Sequence, residues 1–135
     1  MTRISTSAEE TQAIAAELAS GLVPGSVLIL TGDLGAGKTE FVKGVAKGLG
    51  IDDSVTSPTF TLVHEYRGDQ VTLYHLDLYR LNSEIELDEI GFDDCVSAGG
   101  ICAIEWGNKY PGRLPKGYSE VCLTIGQNNQ RVIEW

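Results

Sequence analysis

The chain has 135 residues and a mass of 14.5 kDa, a length that predicts one domain spanning 1–135. Hydrophobic residues make up 42% and charged residues 21%, which excludes a disordered chain. The 10 Lys+Arg against 19 Asp+Glu give a net charge of −9 and a pI near 4.5, which excludes a protein that grips nucleic acid by itself. Any RNA chemistry is expected to run through a partner.

No apolar run reaches the roughly 18 residues of a membrane span. Residues 1–20 are polar and amphipathic and lack a signal-peptide core, so a cytoplasmic protein with no membrane association is expected. Cys95, Cys102 and Cys122 are odd in number and lack CxxC spacing. They read as reduced, packed thiols rather than a disulfide frame or a zinc site.

In chain order, Ile14, Leu18 and the alanines at 13, 15, 16 and 19 predict a first helix, with Ser7 and Glu10 as its capping signature. Gly21 and Pro24-Gly25 end it. Val27-Leu28-Ile29-Leu30 is a short apolar run of the kind buried in a parallel sheet. A glycine-rich turn follows, then a helix carrying Phe41, Val42, Val45, Ala46 and Leu49, closed by Gly50. Residues 55–66 are β-prone but interrupted by Pro58. Residues 71–79 predict a strand with Val71, Leu73, His75, Asp77 and Tyr79 on one face. Residues 83–90 predict a short acidic helix, and 100–104 an apolar strand ending at Glu105-Trp106. Residues 121–125 and 131–135 read as a closing pair around Gln127-Asn128-Asn129. The fold class expected is α/β, with a mainly parallel sheet and antiparallel additions.

Gly32-Asp33-Leu34-Gly35-Ala36-Gly37-Lys38-Thr39 fits G-x-x-x-x-G-K-[ST], between a predicted strand and a predicted helix. The glycines let successive N–H groups turn inward toward phosphate oxygens, and the helix N-terminus adds positive potential. Asp33, Leu34, Gly35, Ala36, Gly37, Lys38 and Thr39 are thus the expected nucleotide-binding set. Lys38 is expected on the β- and γ-phosphates and the Thr39 hydroxyl on Mg2+. The fold expected is a three-layer domain like that of P-loop NTPases.

Three kinds of phosphate-loop protein compete. Asn108-Lys109-Tyr110-Pro111 imitates the guanine-reading N-K-x-D of GTPases, but Pro111 replaces the Asp, so Asn108-Lys109 reads as a loop coincidence. A small-molecule kinase needs an acceptor site and an Arg-rich lid, whereas Arg3, Arg67, Arg80, Arg113 and Arg131 are scattered. An ATPase, alone or as a subunit, remains the leading reading. Its second metal element would be Ile101-Cys102-Ala103-Ile104-Glu105, an apolar strand ending in an acid.

Four blocks now carry a resemblance. Besides the phosphate loop they are Ser57-Pro58-Thr59-Phe60-Thr61-Leu62-Val63, His75-Leu76-Asp77-Leu78-Tyr79-Arg80, and Ile104-Glu105-Trp106. In type, order and spacing the chain resembles the TsaE (YjeE) family, small bacterial ATPases needed for the threonylcarbamoyl modification of adenosine 37 in tRNAs that read ANN codons. The second and third blocks make the match specific; the first says only nucleotide. The resemblance implies a weak, Mg2+-dependent ATPase that works with TsaB and TsaD, downstream of TsaC, and meets tRNA only through that complex. It also implies that Thr11 borders the adenine.

Within these blocks, Pro58 biases Ser57 toward an extended shape, so Thr59 would present a hydroxyl to the γ-phosphate or Mg2+ in a switch. Asp77 is the candidate to hold the attacking water or the water shell of the metal, with Arg80 as its partner or as a contact for another protein. Lys38, Thr59 and Asp77 form the expected catalytic set. His75 reads as a packed or orienting residue rather than a metal ligand. Glu105, with Thr39, is expected to coordinate Mg2+, because a carboxylate beside a phosphate cluster repels it unless a cation lies between. Trp106 is either core or close to the nucleotide or partner surface. The acidic run at 82–94 is either a solvated face or a docking surface for a basic partner. A small-molecule kinase and an ATP sensor without turnover are the alternatives.

Overall fold

The apolar run at 27–30 has no polar side because both of its faces are covered. A computed structural model describes residues 1–52, 55 and 62–135. In it, Val27–Thr31 forms strand β2, with β5 (Ile101–Glu105) and β6 (Ser119–Ile125) parallel to it on either side. Leu28 and Leu30 enter one core cluster and Val27 and Ile29 the other, as the two-residue period of a strand requires.

The sheet has seven strands in the order β1-β7-β6-β2-β5-β4-β3. The remaining strands are β1 (Thr2–Ser5), β3 (Val63–Arg67), β4 (Thr72–Asp77) and β7 (Arg131–Glu134). β4 is parallel to β5, whereas β3 on β4, β7 on β6 and β1 on β7 are antiparallel. The α/β class, the parallel middle and the antiparallel additions are as the sequence predicts.

Helices α1 (Ala8–Ala19) and α2 (Lys38–Gly48) pack on each other and on the cluster that holds Leu28, Leu30, Leu73 and Ala103. Ser7 caps α1 by accepting the Glu10 amide at 3.0 Å, as the capping signature predicts. Glu10 reaches back one residue further, to the amide and hydroxyl of Thr6. The two helices approach so closely that a Cβ on Gly44 would stand 2.2 Å from the Gln12 carbonyl oxygen. Short helices α3 (Glu84–Glu89) and α4 (Phe92–Ser97) bring Leu87 and Phe92 to the opposite cluster, with Ile29, Leu76 and Ile104.

Three elements differ from expectation. β1 lies inside the stretch read only as polar and amphipathic, too short to show a period. The predicted strand at 71–79 stops at Asp77, so Tyr79 falls in the turn beyond it. The acidic stretch continues into α4, which the sequence reading did not separate from α3, although Gly91, at φ +76, stands between them. In that stretch Arg113 donates to Asp88 at 2.7 Å and to Asp93 at 2.9 Å, linking α3 to α4, so part of its charge is already answered within the chain. Cys95, Cys102 and Cys122 are free thiols. Burial pushes the Cys102 thiol up to about 12. No helix among the described residues is long and apolar enough to cross a membrane.

Candidate phosphate-binding site

β2, β4 and β5 end at one edge of the sheet, where open α/β sheets place their ligands. β2 runs out into the glycine-rich turn, which leads directly into α2. Gly32 takes φ +147, and a Cβ there would stand 2.4 Å from the Leu123 carbonyl oxygen, so only glycine fits. Gly37, at φ +102, caps α2 without a side chain, leaving the first turn open to a ligand.

Lys38 is the first residue of α2 and is buried. Its Nζ donates to the Gly32 carbonyl at 2.7 Å and lies 4.1 Å from the centre of the Trp106 ring. Burial pushes its pKa down, while Glu105, Asp77 and Asp33 pull it back.

Asp77 ends β4 and Glu105 ends β5, opposite each other in the parallel register. Both are only 4% exposed. The Asp77 Oδ1 accepts the Tyr79 amide at 3.0 Å. Glu105 Oε2 lies 2.5 Å from Nε2 of His75, a wholly buried ring two residues before Asp77 on the same face. An ionised carboxylate can only accept, so Nε2 carries the proton.

The turn after β4 is pinned from a distance. Lys109 Nζ donates to the carbonyls of Leu81 at 2.7 Å, Tyr79 at 2.8 Å and Leu78 at 3.3 Å. Lys109, from the pair that imitates the start of a guanine-reading motif, is a structural brace. Trp106 takes φ +62, uncommon for a bulky residue, and packs against Tyr79 with ring centres 5.0 Å apart and planes tilted by 45°. It is half-buried against the core and also lines the cleft.

The cleft has a volume of about 480 Å³. Thr11, Leu34, Gly35, Gly37, Lys38, Thr39, Asp77 and Glu105 all line it. Asp33 and Ala36 do not. The Ala36 methyl is in the core and its amide donates to the Asp33 carbonyl at 3.0 Å. Thr59, with the rest of the block from Ser57 to Thr61, lies outside the described residues. The buried Thr11 hydroxyl is 2.7 Å from that of Ser5. Ser5 spends its own proton on the Ser7 carbonyl, so Thr11 is the donor.

Sequence reading missed Glu40, on the first turn of α2, and two further parts of the wall. The first is the stretch from Ser5 to Ala8, where β1 hands over to α1. The second is Arg131 with Asn129. Arg131 donates to the Gly35 carbonyl at 3.2 Å and to the Asn129 carbonyl at 2.7 Å. It stands 96 positions from Gly35, and only the antiparallel return of β7 brings them together.

The family model of the threonylcarbamoyl adenosine biosynthesis protein TsaE matches residues 5–133. The chain belongs to the TsaE family. It is 44% identical to the tRNA threonylcarbamoyladenosine biosynthesis protein TsaE of Treponema pallidum over 130 residues, 96% of each chain. The TsaE protein of Bacillus subtilis is 43% identical over 125 residues, covering 93% of this chain and 78% of that one. A crystal structure of Bacillus subtilis YdiB superposes with a TM-score of 0.84 at 37% identity, covering 98% of this chain and 82% of that chain. Three of the four blocks that carried the TsaE resemblance, the phosphate loop, His75 to Arg80 and Ile104 to Trp106, thus meet around one cleft.

Proposed function

We propose that this TsaE-family chain is a single P-loop ATPase domain over 1–135, of the three-layer NTPase type. It would bind ATP with Mg2+, hydrolyse it slowly, and serve in the cytoplasm as a subunit of the complex that forms N6-threonylcarbamoyladenosine at position 37 of ANN-decoding tRNAs. The observation that carries the reading is convergence. A glycine cradle, a helix N-terminus, a buried lysine and two strand-end carboxylates share one cleft. The names of its relatives supply the pathway.

The residues fit the groups they would hold. Gly35 and Gly37 line the cleft next to the start of α2, so phosphate oxygens would meet main-chain N–H groups there. Lys38 would exchange the Gly32 carbonyl for a phosphate oxygen. The Thr39 hydroxyl and the Glu105 carboxylate are hard oxygen donors suited to Mg2+. When bound, that ion neutralises charge on the phosphates. Asp77 would orient the attacking water and accept its proton as the bond to the leaving ADP breaks. Thr59 would answer to the γ-phosphate.

The acidic chain offers little to tRNA directly, so TsaB and TsaD are the proposed partners and tRNA contact runs through them. The deciding experiment incubates the protein with Mg-ATP, alone and with TsaB, TsaD and candidate small-molecule acceptors. Free phosphate as the sole phosphorylated product, with retention of TsaB and TsaD in an ATP-dependent pull-down, is expected. A phosphorylated acceptor would replace this reading with a kinase, and ATP binding without phosphate release would replace it with a sensor.

A further inference from the structure

His75 sits wholly buried on β4, on the face it shares with Leu73, where an aliphatic side chain would leave no polar atom unmatched. Among the described residues its ring makes one hydrogen bond, from Nε2 to Glu105 Oε2 at 2.5 Å. Among the described residues its other ring nitrogen, Nδ1, has no partner. A buried imidazole satisfied at one nitrogen only is a poor packing residue, because the unmatched nitrogen keeps its desolvation cost. Its single bond reaches the carboxylate at the end of the neighbouring strand.

We infer that His75 is a positioning residue for Glu105. By engaging Oε2 it fixes the rotation of the carboxylate and leaves Oε1 as the oxygen presented to the metal position in the cleft. Glu105 ends its strand, before the left-handed Trp106, and among the described residues the His75 ring is the group that hydrogen-bonds its carboxylate. Hydrogen-bonded support of this kind tunes a ligand without touching the metal. The inference rests on the proposed role of Glu105 toward Mg2+.

The test measures ADP affinity by calorimetry in excess Mg2+ and in chelator; the ratio of the two affinities is the metal coupling. Glu105→Gln should abolish the coupling. His75→Leu and His75→Asn should each lower it about tenfold, with ADP affinity in chelator unchanged. His75→Gln, whose amide nitrogen falls where Nε2 was, should keep it within about threefold of native, whereas the Asn amide reaches only the Nδ1 position. If Glu105→Gln loses the coupling while His75→Leu and His75→Asn retain it, the inference is overturned and the metal role of Glu105 stands. It is equally overturned if His75→Gln falls as far as His75→Asn. If His75→Leu does not fold, the Gln and Asn pair decides. Coupling that survives Glu105→Gln, or a native chain that binds no ADP, overturns the site reading and this inference with it.

Discussion

The ammonium of Lys38 lies 4.1 Å from the centre of the Trp106 ring. Among the described residues the groups it contacts, that ring and the Gly32 carbonyl, are both neutral, although the cation is buried. A polyphosphate would offer a full negative charge instead, so nucleotide binding should draw Nζ away from the ring. In a Trp135→Phe chain, which leaves Trp106 as the one indole, emission should change on adding Mg-ADP. Lys38→Ala should abolish that change and weaken ADP binding by roughly 1.5–3 kcal/mol or more. Calorimetry showing native affinity in Lys38→Ala would sink the phosphate-loop assignment.

Asp77→Asn keeps the size of the side chain but removes its basicity. Phosphate release under single-turnover conditions should fall by about 10²–10⁴-fold, with ADP affinity little changed. Equal release rates in the two proteins would remove Asp77 from the chemistry.

Gly44 is a contact of main chain with main chain. Gly44→Ala puts a methyl 2.2 Å from the Gln12 carbonyl oxygen and 2.7 Å from the Ala15 methyl, both on α1. The helices must part, at a cost of about 1–3 kcal/mol in urea unfolding. Gly50→Ala, where no atom of the described residues beyond the chain neighbours lies within 4 Å, meets the strain of φ +75 and separates crowding from backbone effects. Native stability in Gly44→Ala would show that the helix pair can shift freely.

Glu40 bridges the same helices, accepting from Gln12 at 2.6 Å and Lys43 at 2.9 Å. These bonds, the Lys43 contact first, hold its carboxyl below the usual glutamate value. The unfolded chain therefore binds more protons just below the ordinary pKa of about 4.3, and stability rises with pH there. The contribution is complete above that value and is lost as pH falls through the folded one. Urea midpoints between about pH 7 and about pH 3 should fall less steeply on the acid side in Glu40→Gln. Parallel curves would assign the acid sensitivity to other groups.

Legibility followed locality. The phosphate loop, α2 and β2 are contiguous, and each announces itself through glycine spacing or an unbroken apolar run. Glu105 was readable as a strand-end acid and Asp77 as an acid on one face of a strand, but that both stand at strand ends, paired, is a fact of strand order. Arg131 and Ser5 carry no local mark; they reach the cleft because β7 and β1 return to the sheet edge. The bracing role of Lys109 was out of reach for the same reason. Its meaning lies in three carbonyls far upstream, and a dipeptide resembling another motif says nothing of them.

That brace has a kinetic corollary. Lys109 is 28 to 31 positions from the carbonyls it holds, so the bend after β4 is completed only once β5 has docked and the chain beyond it has folded back. The backbone beside Asp77 is therefore among the last pieces to settle during refolding. Its amides at 78–81 should gain exchange protection after those of β2 and β5, and Lys109→Met should delay them further while leaving the central strands on schedule.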